Sequence, residues 1–280
     1  MQTLKVYQSI WGMELRIPGV DEASMLANFE KATDAGFDGL CIDLGADEVE
    51  QFRETGPLFK EFEIGCMVNA FPYKMLDLMP VLELAREFDA CMVNVIGGVM
   101  PLKVEDAVPV VRQWMNEAAS IGMPLLFETH RDSLLNDLYF TLQLMDAVPE
   151  MRLCSDLSHF VVDRELQMPV PVRDQAFIRK VIERSDCFQG RVASREQIQI
   201  QIDFPQHQDW VEQFKVWWTD GMRRWRQRNA ADAELVFLCE LGPRPYAITD
   251  GNQQELSDRW TEALTIKKWV EQIWRDLDKE

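Results

Sequence analysis

The stretch PLLFETH, residues 124–130, joins an apolar run to two ionisable side chains, Glu128 and His130. Continuous apolar runs of this kind are typical of strands that are buried on both faces of a parallel sheet. Seven other short apolar runs resemble it, and most of them also carry a polar residue in their second half. They are LKVYQSI (4–10), DGLCIDL (38–44), EIGCMVNAF (63–71), ACMVNVIGG (90–98), MRLCSDLSHF (151–160), CFQGRVA (187–193) and ELVFLCEL (234–241).

Longer segments with apolar residues at helical spacing separate these runs. Gly36 follows the first such segment, and Gly122 with Pro124 closes the fourth, as is common where helices end. Strand and helix alternate eight times with no linker rich in Pro, Gly or Ser. The pattern therefore predicts that residues 1–280 form one domain, a single (β/α)8 TIM barrel. The alternative is an open doubly wound sheet, but its glycine-rich fingerprint after the first strand is missing.

Composition limits the partners of the chain. The formal net charge is −18, with 47 acidic and 29 basic residues, which argues against binding to nucleic acid or to an anionic membrane. No apolar run approaches the ~20 residues of a membrane helix. The first residues, MQTLKVYQSIWG, show no secretory pattern, and the six cysteines form no C-x-x-C, so we expect a cytoplasmic protein. Nine tryptophans, some on helix faces, leave room for a homodimer.

Carboxylates stand at the ends of three predicted strands. Glu128, Asp156 and Glu240 lie within the fifth, sixth and eighth runs where the predicted strands end, and in such a barrel the carboxyl ends of the strands surround one mouth. Crowded like charges raise each other's pKa or require a cation between them, and a divalent metal with oxygen ligands meets that need. The alternative is that each acid caps a following helix or pairs with a neighbouring arginine.

Other candidate site residues lie beside these acids. Two of the three histidines, His130 and His159, follow them in the sequences E-T-H and D-L-S-H, and Trp11 stands at the end of the first run. Arg191 falls where the seventh strand enters the mouth. Its guanidinium is suited either to hold a substrate oxygen or to offset the repulsion among the carboxylates. We predict that Trp11, His130 and Arg191 contact the substrate.

Four segments, FETH, SDLSHFVVDRE, GRVASREQIQI and CELGPRPYA, together resemble the xylose-isomerase-like TIM-barrel superfamily, the sugar phosphate isomerase/epimerase group. The resemblance implies one divalent metal ion (Mn, Mg, Co or Zn) bound by a Glu, an Asp, a His and a second Glu. Glu128, Asp156 and Glu240 match three of these ligands. His159 matches a substrate-binding histidine of the group.

The sequence departs from that pattern at the seventh strand. It has Gln189 and Arg191 there, and no histidine. Arginine stays protonated and is no metal ligand. The resemblance, to one branch of the group, offers Gln199 as the fourth ligand, and a water molecule is the alternative. A metal that is weakly held or absent is the remaining interpretation.

The function that the resemblance implies is isomerisation or epimerisation of a sugar, a sugar phosphate or a sugar acid. Glu128 and Glu240 would move a proton next to a carbonyl polarised by the metal. The same groups would serve a lyase or dehydratase. A non-catalytic barrel that has lost its metal and binds a ligand or partner is a further alternative. A DNA-repair endonuclease of this superfamily is disfavoured by the three histidines and the net charge of −18.

Overall fold

Eight parallel strands close into a barrel in the computed structural model, which describes residues 1–280. Neighbours along the chain are neighbours in the barrel, and β1 pairs with β8 to close it. The predicted (β/α)8 barrel is thus confirmed, and the open sheet is excluded. The strands are β1 (Thr3–Ser9), β2 (Gly39–Leu44), β3 (Gly65–Ala70), β4 (Val93–Val95), β5 (Leu125–Glu128), β6 (Leu153–Ser155), β7 (Ser185–Gln189) and β8 (Glu234–Cys239).

Ten α-helices lie in the connections between the strands and after the last one. They are α1 (Met25–Asp34), α2 (Val49–Phe52), α3 (Gly56–Glu61), α4 (Leu78–Glu87), α5 (Val104–Ser120), α6 (Leu138–Ala147), α7 (Leu157–Asp163), α8 (Val172–Arg184), α9 (Gln208–Arg228) and α10 (Arg259–Leu277). None of them combines the length and apolar content that crossing a membrane requires.

The strands explain why their sequences read as continuous apolar runs. On β2, Leu40 and Ile42 pack outward in the core shared with the helices, whereas Cys41 belongs to a separate cluster inside the barrel. Both faces of the strand are therefore buried. The inside cluster consists of Tyr7, Cys41, Met67, Leu126, Cys154, Cys187, Val236 and Leu238.

A polar layer lies directly above this apolar inner cluster. Because side chains on one face of a strand recur every second residue, the inward residue after each apolar one comes two positions later. Those residues are polar on all eight strands or just beyond their ends. They are Ser9, Asp43, Asn69, Asn94, Glu128, Asp156, Gln189 and Glu240. The period of two thus delivers one polar side chain per strand to the mouth.

Most of the predicted runs extend past their strands, and in the sixth and seventh the difference affects site residues. β6 ends at Ser155, and the next residue, Asp156, caps α7 by accepting a hydrogen bond from the Ser158 backbone N–H. The segment LSHFVVD is therefore helical, and its apolar residues are buried on a helix rather than on a strand. β7 ends at Gln189, two residues before Arg191.

The tryptophans pack against other residues of the same chain. Trp114, Trp217, Trp218 and Trp225 are buried in the core, and none of the nine is exposed. The tryptophans therefore give no support to a homodimer, which stays a prediction.

Candidate active site

A cavity of about 400 Å³ opens at the carboxyl ends of the strands. Of the residues predicted for the site, five line this cavity and three lie behind it. The lining residues are Trp11, Glu128, His130, Arg191 and Glu240. The residues behind are Asp156, His159 and Gln199, which are buried and do not border the cavity.

The three predicted carboxylates converge. Glu128 is the last residue of β5, and Asp156 and Glu240 come one residue after β6 and β8. One carboxylate oxygen from each lies within 4.8 Å of those of the other two, and all three residues are buried. The prediction that these acids share one site is confirmed.

Asp156 combines the two roles that the sequence presented as alternatives. Its Oδ1 accepts hydrogen bonds from the backbone N–H and the hydroxyl of Ser158, and Asp156 thereby caps α7. Its Oδ2 accepts from Nε of Arg191 at 2.9 Å and therefore belongs to the site. Helix capping and a place among the carboxylates are compatible here because each uses a different oxygen.

Arg191 lies between two of the acids. Its Nε donates to Oδ2 of Asp156, its Nη2 donates to Oε2 of Glu240 at 3.0 Å, and its Nη1 donates to Oε1 of Gln199 at 3.4 Å. Only 2% of the side chain is exposed. The prediction that Arg191 points into the mouth is confirmed, and the predicted charge balance is present as two buried ion pairs.

Two aromatic rings flank the guanidinium. The carbon at its centre lies 4.8 Å from the Tyr246 ring centroid and 5.6 Å from that of Trp11, and the two rings meet edge to face. Gly242 makes room for them, because a Cβ at this position would come within 2.3 Å of the Trp11 ring. Tyr246 was not singled out from the sequence. Its only signal was its place in the segment that follows β8.

Gln199 is not free to act as the predicted fourth ligand. Its Oε1 accepts from the Gly242 N–H at 2.7 Å, and its Nε2 donates to the Gly242 carbonyl at 3.0 Å. The amide thus pairs with the backbone of the loop after β8 and also contacts Arg191. This arrangement corrects the expected role, because Gln199 holds the loop and the arginine in place.

A chain of side-chain amides connects the catalytic candidates below the cavity. Asn69 donates to Oδ1 of Asp43 at 2.9 Å and to Oε1 of Glu240 at 3.1 Å. Asn94 donates to Oδ1 of Asn69 at 2.8 Å and to Oε2 of Glu128 at 2.5 Å. This continuous path fixes the two glutamates relative to each other. The sequence analysis assigned no role to either asparagine.

Gln189 occupies the position where the resemblance implies a histidine. Its Nε2 donates to Oε2 of Glu128 at 2.7 Å, so that oxygen accepts from both Gln189 and Asn94. Oε1 of Glu128 has no protein partner. Glu128 is therefore held by one oxygen, and the other is available to a molecule in the cavity.

Burial raises the pKa of the acids in the mouth. The pKa of Glu128 rises to about 8, mainly because the side chain is buried and also because Asp156 is close. Burial, followed by the charge of Glu128, raises the pKa of Glu240 well above its usual range. Burial also raises the pKa of Asp43 to about 7, although the hydrogen bond from Asn69 opposes the shift. All three acids therefore hold their protons to higher pH than ordinary carboxylic acids do.

The two histidines form a neutral pair. Their ring centroids are 4.0 Å apart, and burial lowers the pKa of His130 to about 4 and that of His159 well below its usual range. Nδ1 of His159 accepts from the Arg131 N–H at 3.3 Å, which assigns the proton of the ring to Nε2, 3.5 Å from Oδ2 of Asp156. His159 is fully buried and does not border the cavity, and its contact with a substrate stays a prediction.

Two groups of side chains are close enough to hold a metal ion: Glu128 with Asp156 and Glu240, and Glu128 with His130 and His159. In the second group, one nitrogen of His159 accepts a backbone hydrogen bond and the other carries the proton, so neither is free to coordinate. By distance alone, the carboxylate group remains the metal site that the sequence predicted.

Arg191 decides whether the carboxylate group fits a divalent ion. Both oxygens of Asp156 and both oxygens of Glu240 already accept hydrogen bonds, two of them from the guanidinium. The guanidinium cannot lose its proton and repels a second cation at such short range. With Arg191 in this position, the donor set does not fit a divalent metal ion.

Solved structures share this fold across the whole chain. A xylose isomerase-like TIM barrel protein from Mycobacterium smegmatis, in complex with magnesium, is 13% identical with a TM-score of 0.62, and the match covers 98% of this chain and 97% of that one. A D-allulose 3-epimerase from Methylomonas sp. is 12% identical with a TM-score of 0.63, covering 98% and 99%.

A third similar structure is described as the probable 3-DHS dehydratase AsbF from Bacillus anthracis, with 12% identity, a TM-score of 0.57, and coverage of 94% of this chain and 97% of that one. No family model matches the chain, and no curated protein does. The identities show the fold and nothing finer. By its structure, the chain is similar to the xylose-isomerase-like TIM barrels, as its sequence motifs predicted.

Proposed function

We propose that this protein is an isomerase or epimerase that moves a proton at a carbon next to the carbonyl of a sugar or sugar derivative. One observation carries the proposal: Glu128 and Glu240 are buried side by side, line one small cavity and are joined through Asn69 and Asn94. Two carboxylic groups within reach of one substrate are what removal and return of a proton require.

The surroundings give the two glutamates different tasks. Glu128 has a pKa of about 8, and its Oε1 has no protein partner, so it donates the proton. Burial also raises the pKa of Glu240, but its ion pair with Arg191 opposes that shift and favours the carboxylate, and Glu128 has no such partner; on this difference we assign Glu240 as the proton acceptor. Two neighbouring acids of which only one is paired with a cation can take different roles in proton transfer.

The lining of the cavity suits a polyhydroxylated substrate. A guanidinium has five N–H donors, and Asp156, Gln199 and Glu240 take one each from Arg191, which leaves two for a substrate oxygen. Neutral His130 and the ring of Tyr246 border the same space. A carbohydrate that carries a carbonyl or a carboxylate near Arg191 matches these groups. The similar D-allulose 3-epimerase supports this choice by analogy of fold alone.

The cation that faces the carboxylates in this site is Arg191. The sequence predicts a manganese, magnesium, cobalt or zinc ion for the same chemistry, but no step of the proposed reaction passes through a metal. The guanidinium supplies positive charge next to the developing oxyanion.

A lyase or dehydratase is the second candidate. The fold similarity to the probable 3-DHS dehydratase favours it, and such a reaction begins with the same removal of a proton next to a carbonyl. The two candidates differ in the product, because a dehydratase forms a conjugated carbonyl compound that absorbs ultraviolet light.

The test is proton exchange. The purified chain is incubated in D2O with a panel of ketoses, aldoses and sugar acids, and NMR follows the loss of the signal next to the carbonyl. We expect Glu128→Gln and Glu240→Gln each to slow exchange by about 10²-fold or more. Glu83→Gln, an exposed substitution on α4, serves as the matched control and should leave exchange unchanged. Ligand binding without any exchange would instead support the non-catalytic barrel.

A further inference from the structure

Arg191 stands where the resemblance implies a metal ion, between Asp156 and Glu240 and at 2.9 and 3.0 Å from their oxygens. We propose that Arg191 is the permanent cation of this site, that the native chain retains no divalent metal ion, and that the guanidinium is what excludes one. The inference does not rest on the proposed reaction, because it concerns the site without a substrate.

The first argument is electrostatic. A divalent ion coordinated by Oε2 of Glu240 at ~2.1–2.6 Å would lie within about 5 Å of Nη2 of Arg191. An arginine cannot relieve that repulsion by deprotonation, as a lysine or histidine does. The metal and the guanidinium therefore compete for the same two carboxylates.

The second argument is that Arg191 has no way to step aside. Its side chain is 2% exposed, and Tyr246 and Trp11 cover it at 4.8 and 5.6 Å. Gln199 contacts Nη1 and is itself fixed by two hydrogen bonds to the backbone of Gly242. Two carboxylates, two rings and one anchored amide thus hold the guanidinium in a single position.

The third argument comes from the residue at the end of β7. Gln189 turns its Nε2 towards Glu128 and donates a hydrogen bond at 2.7 Å. A metal ligand at this position would instead present a lone pair to the centre of the site. The Gln189 side chain thus stabilises the Glu128 carboxylate directly, and no ion is needed between these two residues.

The experiment measures metal binding by wild-type protein, Arg191→Met, Arg191→Lys and the control Arg224→Met, each without substrate. Arg224 forms ion pairs on the surface with Asp220 and Glu183, away from the mouth. Each protein is dialysed against MnCl2 and then against metal-free buffer. Elemental analysis gives the manganese content, and thermal unfolding with and without MnCl2 gives the effect on Tm.

We expect less than about one tenth of an ion per chain in wild type and in Arg224→Met, and a content between those of wild type and Arg191→Met in Arg191→Lys, whose ammonium can lose its proton. Arg191→Met, which leaves the carboxylates without their cation, should bind about one manganese ion per chain and gain at least several degrees in Tm when MnCl2 is added. Adding Glu240→Gln to Arg191→Met should abolish that gain.

Two results would overturn the inference. The first is a wild-type chain that retains close to one manganese ion and loses it on Glu240→Gln. The second is a folded Arg191→Met variant that binds no more manganese than wild type. If Arg191→Met does not fold, the wild-type measurement decides alone. Failure of the proposed reaction would appear in proton exchange and not in these assays, so the two failures are distinguishable.

Discussion

The Nε of Arg191 donates to Oδ2 of Asp156 at 2.9 Å, while Oδ1 of the same aspartate caps α7 through the backbone N–H of Ser158. The buried Asp156 side chain therefore caps a helix and also forms an ion pair with Arg191, the second residue after β7. This link couples the geometry of the mouth to the stability of the barrel, so several site variants should change both.

Arg191→Met should lower the free energy of unfolding by about 3–5 kcal/mol in metal-free buffer at pH 7, because it leaves Asp156 and Glu240 buried without their partner. Urea unfolding followed by circular dichroism measures the change. Arg224→Met, whose ion pairs are partly exposed, should cost about 1 kcal/mol or less. Equal losses in the two variants would show that the buried ion pairs stabilise the fold no more than the partly exposed ones do.

Glu128→Gln should change how stability depends on pH. The folded chain holds a proton on Glu128 up to a pKa of about 8, whereas the unfolded chain releases it near the ordinary value of 4.5. Stability of the wild type therefore falls as pH rises through this interval, since the folded state binds more protons. Glutamine does not titrate, so the variant should gain stability relative to wild type between pH 5 and pH 8.5.

The expected gain of Glu128→Gln across that interval is well above ~1 kcal/mol, because each unit of pKa shift corresponds to about 1.4 kcal/mol. Urea unfolding of both proteins at the two pH values measures it. The amide oxygen of the new side chain can still accept from Asn94 and Gln189, so packing is preserved. A stability difference that does not vary with pH would contradict the raised pKa.

Gln199→Ala should destabilise the protein by about 1–3 kcal/mol, because the N–H and carbonyl of Gly242 lose their partners in a buried loop. This expectation replaces the one from the sequence, which offered Gln199 as a metal ligand. Thermal unfolding provides the measurement. Gln197→Ala, two residues away and exposed, should stay within about 0.5 kcal/mol of wild type.

Gly242→Ala should cost about 1–3 kcal/mol and weaken substrate binding, because the new methyl group would come within 2.3 Å of the Trp11 ring and push it off Arg191. Thermal unfolding and the KM of the exchange reaction report the two effects. Gly251→Ala is the matched control, since a Cβ there meets no atom within 4 Å. An unchanged KM for Gly242→Ala would remove the proposed role of the Trp11 ring.

Much of the site could be predicted from the sequence because strand periodicity is local. The apolar runs that lead up to Glu128 and Glu240 predict the strands of the barrel. They also predict that these acids lie at its mouth. The limits of β6 could not be predicted in this way, because the apolar pattern of LSHFVVD fits a strand and a helix equally well. Only the cap at Asp156 shows that the segment is a helix. Tyr246 was missed because it belongs to a loop without periodicity.

The sequence by itself determined the eight parallel strands, the single barrel and the convergence of Glu128, Asp156 and Glu240, because a period of two and the closure of the sheet fix which ends meet. Only the tertiary structure decided what lies between the carboxylates. Arg191 follows its strand by two residues, and its position depends on rings and amides contributed by Trp11, Tyr246 and Gln199 from other parts of the chain. Local patterns carry no information about such contacts, which place the guanidinium between Asp156 and Glu240.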